Sequence, residues 1–101
     1  MTSEAPTGIK HDRAKPRPSL LPWSSLRHVV AVLEFGAKKY EVDNWKRVEN
    51  ARARYLDAAL RHVIAVAEGE VTDPESGLPH AAHAVCCLLF LMWFDDREGI
   101  R

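Results

Sequence analysis

Apolar residues recur at helical spacing in three stretches of this chain, and no stretch shows the strict alternation that is typical of a half-buried strand. The first stretch predicts a helix over residues 24–35, with Gly36 as its C-terminal glycine. The second predicts a helix over residues 50–68. The third follows Pro79, a favourable first residue for a helix, and predicts a helix over residues 79–96. The expected fold is all-α, a small domain of three main helices.

The sequence predicts different surroundings for the second and third helices. We expect the second helix to bury an apolar face, with His62 on its flank. That face consists of Leu56, Ala59, Leu60, Val63 and Ala67. The third helix is apolar almost all round, and a three-helix monomer cannot cover every side of such a helix. We therefore expect a homo-oligomer, a dimer or a tetramer that assembles as a helical bundle through helix 79–96.

The N-terminal segment has a different composition. Residues 1–22 hold four of the six prolines together with several basic residues, which favours an extended, proline-rich basic arm over a helix. We expect residues 1–8 to be disordered. The chain of 101 residues suits one hydrophobic core, so residues 9–98 are expected to form a single domain.

Charge and cysteine content narrow the class of protein. The net charge is zero, but residues 1–54 carry an excess of positive charge and residues 55–101 an equal excess of negative charge. A small anion such as a nucleotide fits the basic half better than a long nucleic acid does, since the latter calls for a net basic domain.

Cys86 and Cys87 are adjacent in an apolar run, which excludes a disulfide framework and predicts a cytoplasmic location. That run is shorter than the roughly 20 residues that cross a bilayer, so we expect no membrane partner.

Ionisable side chains concentrate around the turn before the third helix. Glu70 and Asp73 are carboxylates of the kind that bind Mg²⁺ or Mn²⁺. His80 and His83 lie on one face at the start of the third helix, where free N–H groups and the helix dipole favour an anion. Cys87 continues that face, so His80, His83 and Cys87 are an alternative ligand set for Zn²⁺.

Basic and aromatic residues elsewhere predict contacts with phosphate and base. Arg61 offers a guanidinium fork to a phosphate, and exposed aromatic rings offer faces on which a base stacks. We expect a cleft between the second and third helices, closed by the N-terminal arm. The other candidate ligand-binding residues are Lys10, Lys15, Arg17, Lys38, Lys39, Tyr40, Trp45 and His62.

Five ordered blocks of sequence carry a resemblance to a known family. The blocks are residues 10–22, 35–40, 44–45, 55–62 and 69–83. They resemble the phage family of dATP/dGTP diphosphohydrolase N-terminal domains, which is similar in turn to the all-α, MazG-like nucleotide pyrophosphohydrolases. Those enzymes are oligomeric helical bundles that use Mg²⁺ or Mn²⁺ to split a (d)NTP into (d)NMP and pyrophosphate.

The resemblance leaves two functions open. MazG-like enzymes carry Glu-Glu-x-x-Glu on one helix and Glu-x-x-Asp on a later one, whereas here the later motif is replaced by His80-Ala-Ala-His83. As an enzyme, the protein would hold Mg²⁺ or Mn²⁺ with Glu70 and Asp73, and His80, His83 or Glu75 would assist catalysis. The alternative is a sponge without a cofactor. It would sequester a nucleotide immune signal in the host cell cytoplasm, either a cyclic ADP-ribose derivative or a cyclic oligonucleotide.

Overall fold

The computed structural model describes residues 7–99, and within that range all regular secondary structure is helical apart from one isolated β-bridge between Thr72 and Pro79. This confirms the all-α prediction. Two short 3₁₀ helices, Pro18–Leu20 and Asn44–Arg47, precede the second long helix. The three long helices are α1 (Trp23–Lys39), α2 (Ala51–Ala67) and α3 (His80–Glu98).

α1 is longer than the sequence predicts, because Gly36 does not end it. The helix continues for three residues beyond Gly36, and the Tyr40 N–H closes its last turn by donating to the Gly36 carbonyl at 3.0 Å. A glycine inside a helix costs about 1 kcal/mol relative to alanine, which is too little to end a helix that is otherwise supported. Lys38 and Lys39 are therefore residues of the last helical turn, and both are exposed.

The ends of the other two helices agree closely with the predictions. Gly69 follows the last turn of α2 with a φ of +92°, a left-handed conformation that suits glycine and ends the helix. Pro79 is the N-cap of α3 and lies one residue before the helix begins. Gly99, with a φ of +75°, ends α3 in the same way as Gly69 ends α2.

The core forms where α1 and α2 each pack against α3, which is the central element. Its buried residues are few and small, and Cys86 is the most completely buried of them. The Cys86 thiol lies 3.5 Å from the Val29 carbonyl oxygen and donates to it, and both cysteines are free and buried as predicted. The core cluster consists of Val29, Val32, Ala82 and Cys86, with Leu26, Leu78 and Phe90 packed against it.

The prediction for the buried face of α2 is confirmed for Ala59 and wrong for its other members, Leu56, Leu60, Val63 and Ala67. Leu56, Leu60 and Val63 are 40%, 50% and 50% exposed, whereas Ala51 and Ala59 are buried against α3. Small side chains at the contact allow two helices to approach closely, so the alanines and not the leucines define the inner face. The same rotation of α2 brings His62 to the inner face.

The segment before α1 is exposed throughout residues 7–22, and its regular structure is limited to the Pro18–Leu20 turn. The predicted disorder of residues 1–8 falls mostly on residues 1–6, which lie outside the described residues. Among the helices of residues 7–99, none is both long enough and apolar enough to cross a bilayer.

Candidate functional site

A cleft of about 640 Å³ runs along α3 and holds many of the predicted site residues. Its walls come from the second half of α1, the connector after α1, the inner face of α2 and the turn before α3. The sequence predicted walls from α2 and α3, and the structure adds α1 to them. None of residues 7–22 lines the cleft. The predicted site residues that do are Lys39, Tyr40, Trp45, His62, Asp73, Glu75 and His83.

The turn before α3 is organised by Asp73. Its Oδ1 accepts hydrogen bonds from the backbone N–H groups of Glu75 at 2.7 Å and Ser76 at 3.1 Å. Gly77, with a φ of +73°, completes the turn and donates its N–H to the Asp73 carbonyl. Burial would raise the pKa of the Asp73 carboxyl, but these two backbone donors and the nearby His83 and His62 lower it overall. Asp73 is therefore an anion at neutral pH, with its second oxygen, Oδ2, turned away from the turn.

That second oxygen faces two histidines from different helices. The Nδ1 atoms of His62 and His80 lie 2.8 Å apart, and each is 4.0 Å from Asp73 Oδ2. On its other side, His80 Nε2 contacts Glu70 Oε1 at 2.5 Å, so Nε2–H donates to this carboxylate. In the neutral state this leaves His80 Nδ1 as an acceptor for His62 Nδ1–H. His80 is buried, and Glu70 lies at the protein surface.

His83 stands beside this cluster and faces the cleft. Its ring stacks on that of His62, with centroids 4.7 Å apart, and meets the ring of Phe35 edge-on. Ser76 Oγ accepts the Leu78 N–H and lies 2.7 Å from His83 Nε2, so the hydroxyl can donate its proton to that nitrogen. Burial lowers the pKa of both His62 and His83, which keeps both rings neutral at pH 7. We call His62, Asp73, His80 and His83 the histidine end of the cleft.

The opposite end of the cleft is aromatic. Trp45 stacks on Phe90 with ring centroids 4.2 Å apart and an interplanar angle of 12°, and it meets Trp93 edge-on at 5.1 Å. Tyr55 of α2 approaches the other side of this group through an edge contact with Phe90. We call Trp45, Tyr55, Phe90 and Trp93 the aromatic end.

Lys39 lies at the rim of the cleft near the histidine end. Its Nζ donates a hydrogen bond to Glu75 Oε2 at 2.6 Å, and this hydrogen bond raises the pKa of the lysine. Both side chains are substantially exposed, so the pair is weak and open to exchange with an incoming anion. Glu75 thus holds the predicted phosphate-binding lysine at the mouth of the cleft.

The remaining predicted residues lie elsewhere. Arg61 borders a separate surface depression with Arg54 and Asp57. Glu70 contacts His80 from outside the cleft. Four predicted cations line neither cavity, and these are Lys10, Lys15, Arg17 and Lys38.

Among the described residues, one group of side chains has donor atoms close enough together to bind a metal ion. It consists of His62, Asp73 and His80. The alternative zinc set is not assembled, because His83 Nε2 is directed at Ser76 and Cys87 is absent from the group. Two imidazole nitrogens and one carboxylate oxygen do not match the oxygen ligands that Mg²⁺ and Mn²⁺ prefer. Glu70, the other predicted Mg²⁺ ligand, is turned toward His80 Nε2.

Comparisons with known proteins show the family to which this chain belongs. Residues 5–100 match the family described as dATP/dGTP diphosphohydrolase, N-terminal. The chain belongs to this family. A dATP/dGTP diphosphohydrolase of Salmonella phage PMBT28 is 40% identical over 99 residues, which cover 91% of this chain and 33% of that protein. The chain thus spans a third of the length of this relative, and no solved structure matches it.

Four of the five sequence blocks that indicated the dATP/dGTP diphosphohydrolase N-terminal family meet at the cleft. The four blocks from residue 35 onward each supply lining residues, whereas the block at 10–22 supplies none. Sequence reasoning assigned no role to Ser76, Tyr55, Phe90 or Trp93. A signal existed for Tyr55, which lies two helical turns before His62 on the same face of α2.

Proposed function

We propose that the chain is a purine nucleotide-binding domain and that it contributes to metal-dependent hydrolysis of a (d)NTP to (d)NMP and pyrophosphate. The observation that carries this proposal is the division of one cleft into an aromatic end and an end with imidazole, carboxylate and ammonium groups. A nucleotide has the same division between base and phosphates.

The aromatic end suits a base. The cleft volume of about 640 Å³ lies within the range of roughly 300–1,000 Å³ that is usual for small-ligand sites. Stacking of one base on an aromatic side chain contributes about 1–3 kcal/mol to binding. Tyr40 lines the same wall at the rim and is 63% exposed, so its ring is available to the ligand.

The histidine end suits phosphates and the reacting water. Lys39 would exchange Glu75 for a phosphate oxygen, and the carboxylate of Glu75 would then be released toward solvent. His83 is neutral at pH 7 and lines the cleft, as a general base requires. We assign it the role of assisting the attacking water or the leaving phosphate.

The name of the phage relative supports this reaction, since that protein is called a dATP/dGTP diphosphohydrolase.

The test is to incubate the purified chain with dATP or dGTP and a divalent metal ion, and to follow the products by chromatography. We expect metal-dependent release of dNMP and pyrophosphate. Because the chain covers 33% of the relative, the same assay on a longer protein that contains it is the matched control.

The second candidate function is sequestration of a nucleotide signal without hydrolysis. Its supporting observation is that α2 and α3 present histidines, and no Glu or Asp, to the cleft over residues 51–67 and 80–98. The ligand would be a cyclic ADP-ribose derivative or a cyclic oligonucleotide. Heating the loaded protein and recovering intact ligand, with no turnover of dATP or dGTP, would establish this function in place of the first.

We further propose that the domain acts as a homo-oligomer. Apolar side chains stay exposed on the outer faces of α2 and α3, including Leu60 at 50%, Val63 at 50%, Leu88 at 45% and Met92 at 55%. Contiguous exposed apolar residues of this kind are typical of an interaction surface. Light scattering coupled to size-exclusion chromatography should show a dimer or tetramer, and Leu60→Glu should shift it toward the monomer.

A further inference from the structure

Three side chains from separate elements bring their donor atoms together at the histidine end of the cleft. His62 comes from α2, Asp73 from the turn and His80 from α3. Their donor atoms form a triangle with sides of 2.8, 4.0 and 4.0 Å. The circle through three points with these separations has a radius of about 2.1 Å, which is the length of a Zn–N or Zn–O bond. The centre of that circle lies in the plane of the three atoms. A tetrahedral ion with bonds of about 2.1 Å has its ligand atoms about 3.4 Å apart, so changes of about 0.6 Å in the three separations would give tetrahedral coordination.

The atoms around this triangle hold the donors in place. Asp73 uses Oδ1 for the two backbone N–H groups of the turn and leaves Oδ2 for the triangle. Glu70 accepts from His80 Nε2–H, which keeps the lone pair of His80 on Nδ1. A carboxylate behind a histidine is the usual arrangement that orients a metal-binding imidazole.

We infer that His62, Asp73 and His80 form a binding site for one divalent transition-metal ion of the Zn²⁺ type, with Glu70 as the positioning residue for His80. Two imidazole nitrogens and one carboxylate oxygen are typical ligands of such an ion, and Mg²⁺ disfavours them. The ion would also take the place of the direct contact between the two Nδ1 atoms, which are 2.8 Å apart.

The site has three protein ligands, as catalytic zinc sites do, and this leaves a fourth position. His62 and Asp73 line the cleft whereas His80 is buried behind them, so the fourth position faces the cleft. The inference that water or a phosphate oxygen of the substrate occupies this fourth position rests on the proposed function. Metal binding itself does not, since it can be measured without a nucleotide.

The experiment uses the purified chain after dialysis against a chelator. Titration calorimetry with ZnCl₂, and the visible absorption spectrum with CoCl₂, should show one ion per chain, and MgCl₂ at the same concentration should give no binding signal. His62→Ala and Asp73→Asn should each weaken Zn²⁺ binding by about 100-fold or more, and Glu70→Gln by about tenfold. Asp73→Asn retains the Oδ1 acceptor of the turn, which protects the fold of that variant.

Two variants serve as matched controls. Glu75→Gln removes a carboxylate from the same turn, and His28→Ala removes an exposed imidazole from α1. Both should bind Zn²⁺ as the wild type does. The inference is overturned if the folded wild type does not bind Zn²⁺ or Co²⁺, or if folded His62→Ala and Asp73→Asn bind as tightly as the controls. If the protein binds nucleotide but not Zn²⁺, the metal site is rejected and the proposed function stands. If it binds Zn²⁺ but not nucleotide, the proposed function is rejected and the metal site stands.

Discussion

The two ends of the cleft are built in different ways. At the histidine end, Asp73, His80 and His83 are close in sequence and are placed by one hydrogen-bonded turn, to which α2 adds His62. At the aromatic end, rings from the connector, α2 and α3 meet only through tertiary packing. Substitutions at the histidine end should therefore alter chemistry and anion binding. Substitutions at the aromatic end should alter stability together with base binding.

The largest expected effect belongs to Trp45→Ala. Trp45 is half-buried and packs against Phe90 and Trp93. Removing a fully buried aromatic ring typically costs about 3–5 kcal/mol of the free energy of unfolding, so we expect a loss near the lower end of that range. Urea denaturation should show this loss, and nucleotide affinity should fall with it. The control is Trp23→Ala, which removes a 58% exposed ring outside the cleft and should change stability by about 0.5 kcal/mol or less. Equal losses in the two variants would contradict the role given to the aromatic end.

A smaller and more selective effect is expected from Lys39→Gln. Lys39 would lose a charged hydrogen bond to a phosphate oxygen, and because the side chain is exposed, affinity for inorganic tripolyphosphate should fall by roughly 3- to 10-fold. Affinity for free deoxyguanosine should stay unchanged, because that ligand lacks phosphates. Lys38→Gln is the matched control, since Lys38 is exposed one residue away and does not line the cleft. Calorimetry that shows the same loss in both variants would place the phosphates elsewhere.

The smallest effect concerns the pH dependence of stability in the metal-free protein. Burial, followed by His83 and His80, lowers the pKa of His62, whose other charged neighbours are Asp73 and Arg61. The unfolded chain then binds more protons than the folded chain once the pH falls below about 6.5. The free energy of unfolding should therefore decrease from about pH 7 to about pH 5. His62→Gln should reduce this slope, whereas His28→Ala should leave it unchanged. An identical slope in both variants would refute the assignment.

Local sequence signals predicted the histidine end better than the aromatic end. The Asp-Pro-Glu-Ser-Gly turn and the proline before α3 are local features, and they place Asp73, His80 and His83 without help from distant residues. The aromatic end depends on how the connector folds back onto α3. No local pattern around Trp45 specifies that contact.

The prediction for the larger apolar residues of α2 failed for a different physical reason. Apolar periodicity shows which face avoids water, and in an oligomer that face need not be the one buried inside the chain. Here the alanine face packs within the chain, and the face of Leu56, Leu60 and Val63 is exposed. His62 could be assigned to the inner face only after this rotation of α2 was known.

The most direct test of the central claim is a histidine and tryptophan NMR titration with two fragments of the ligand. Inorganic tripolyphosphate should shift the imidazole signals of the histidine end, and deoxyguanosine should shift the indole signals of Trp45 and Trp93. His11, His28 and Trp23 lie outside the cleft and act as internal references. If tripolyphosphate shifts the indoles, or deoxyguanosine the imidazoles of His62 and His83, the assignment of base and phosphates to the two ends is contradicted.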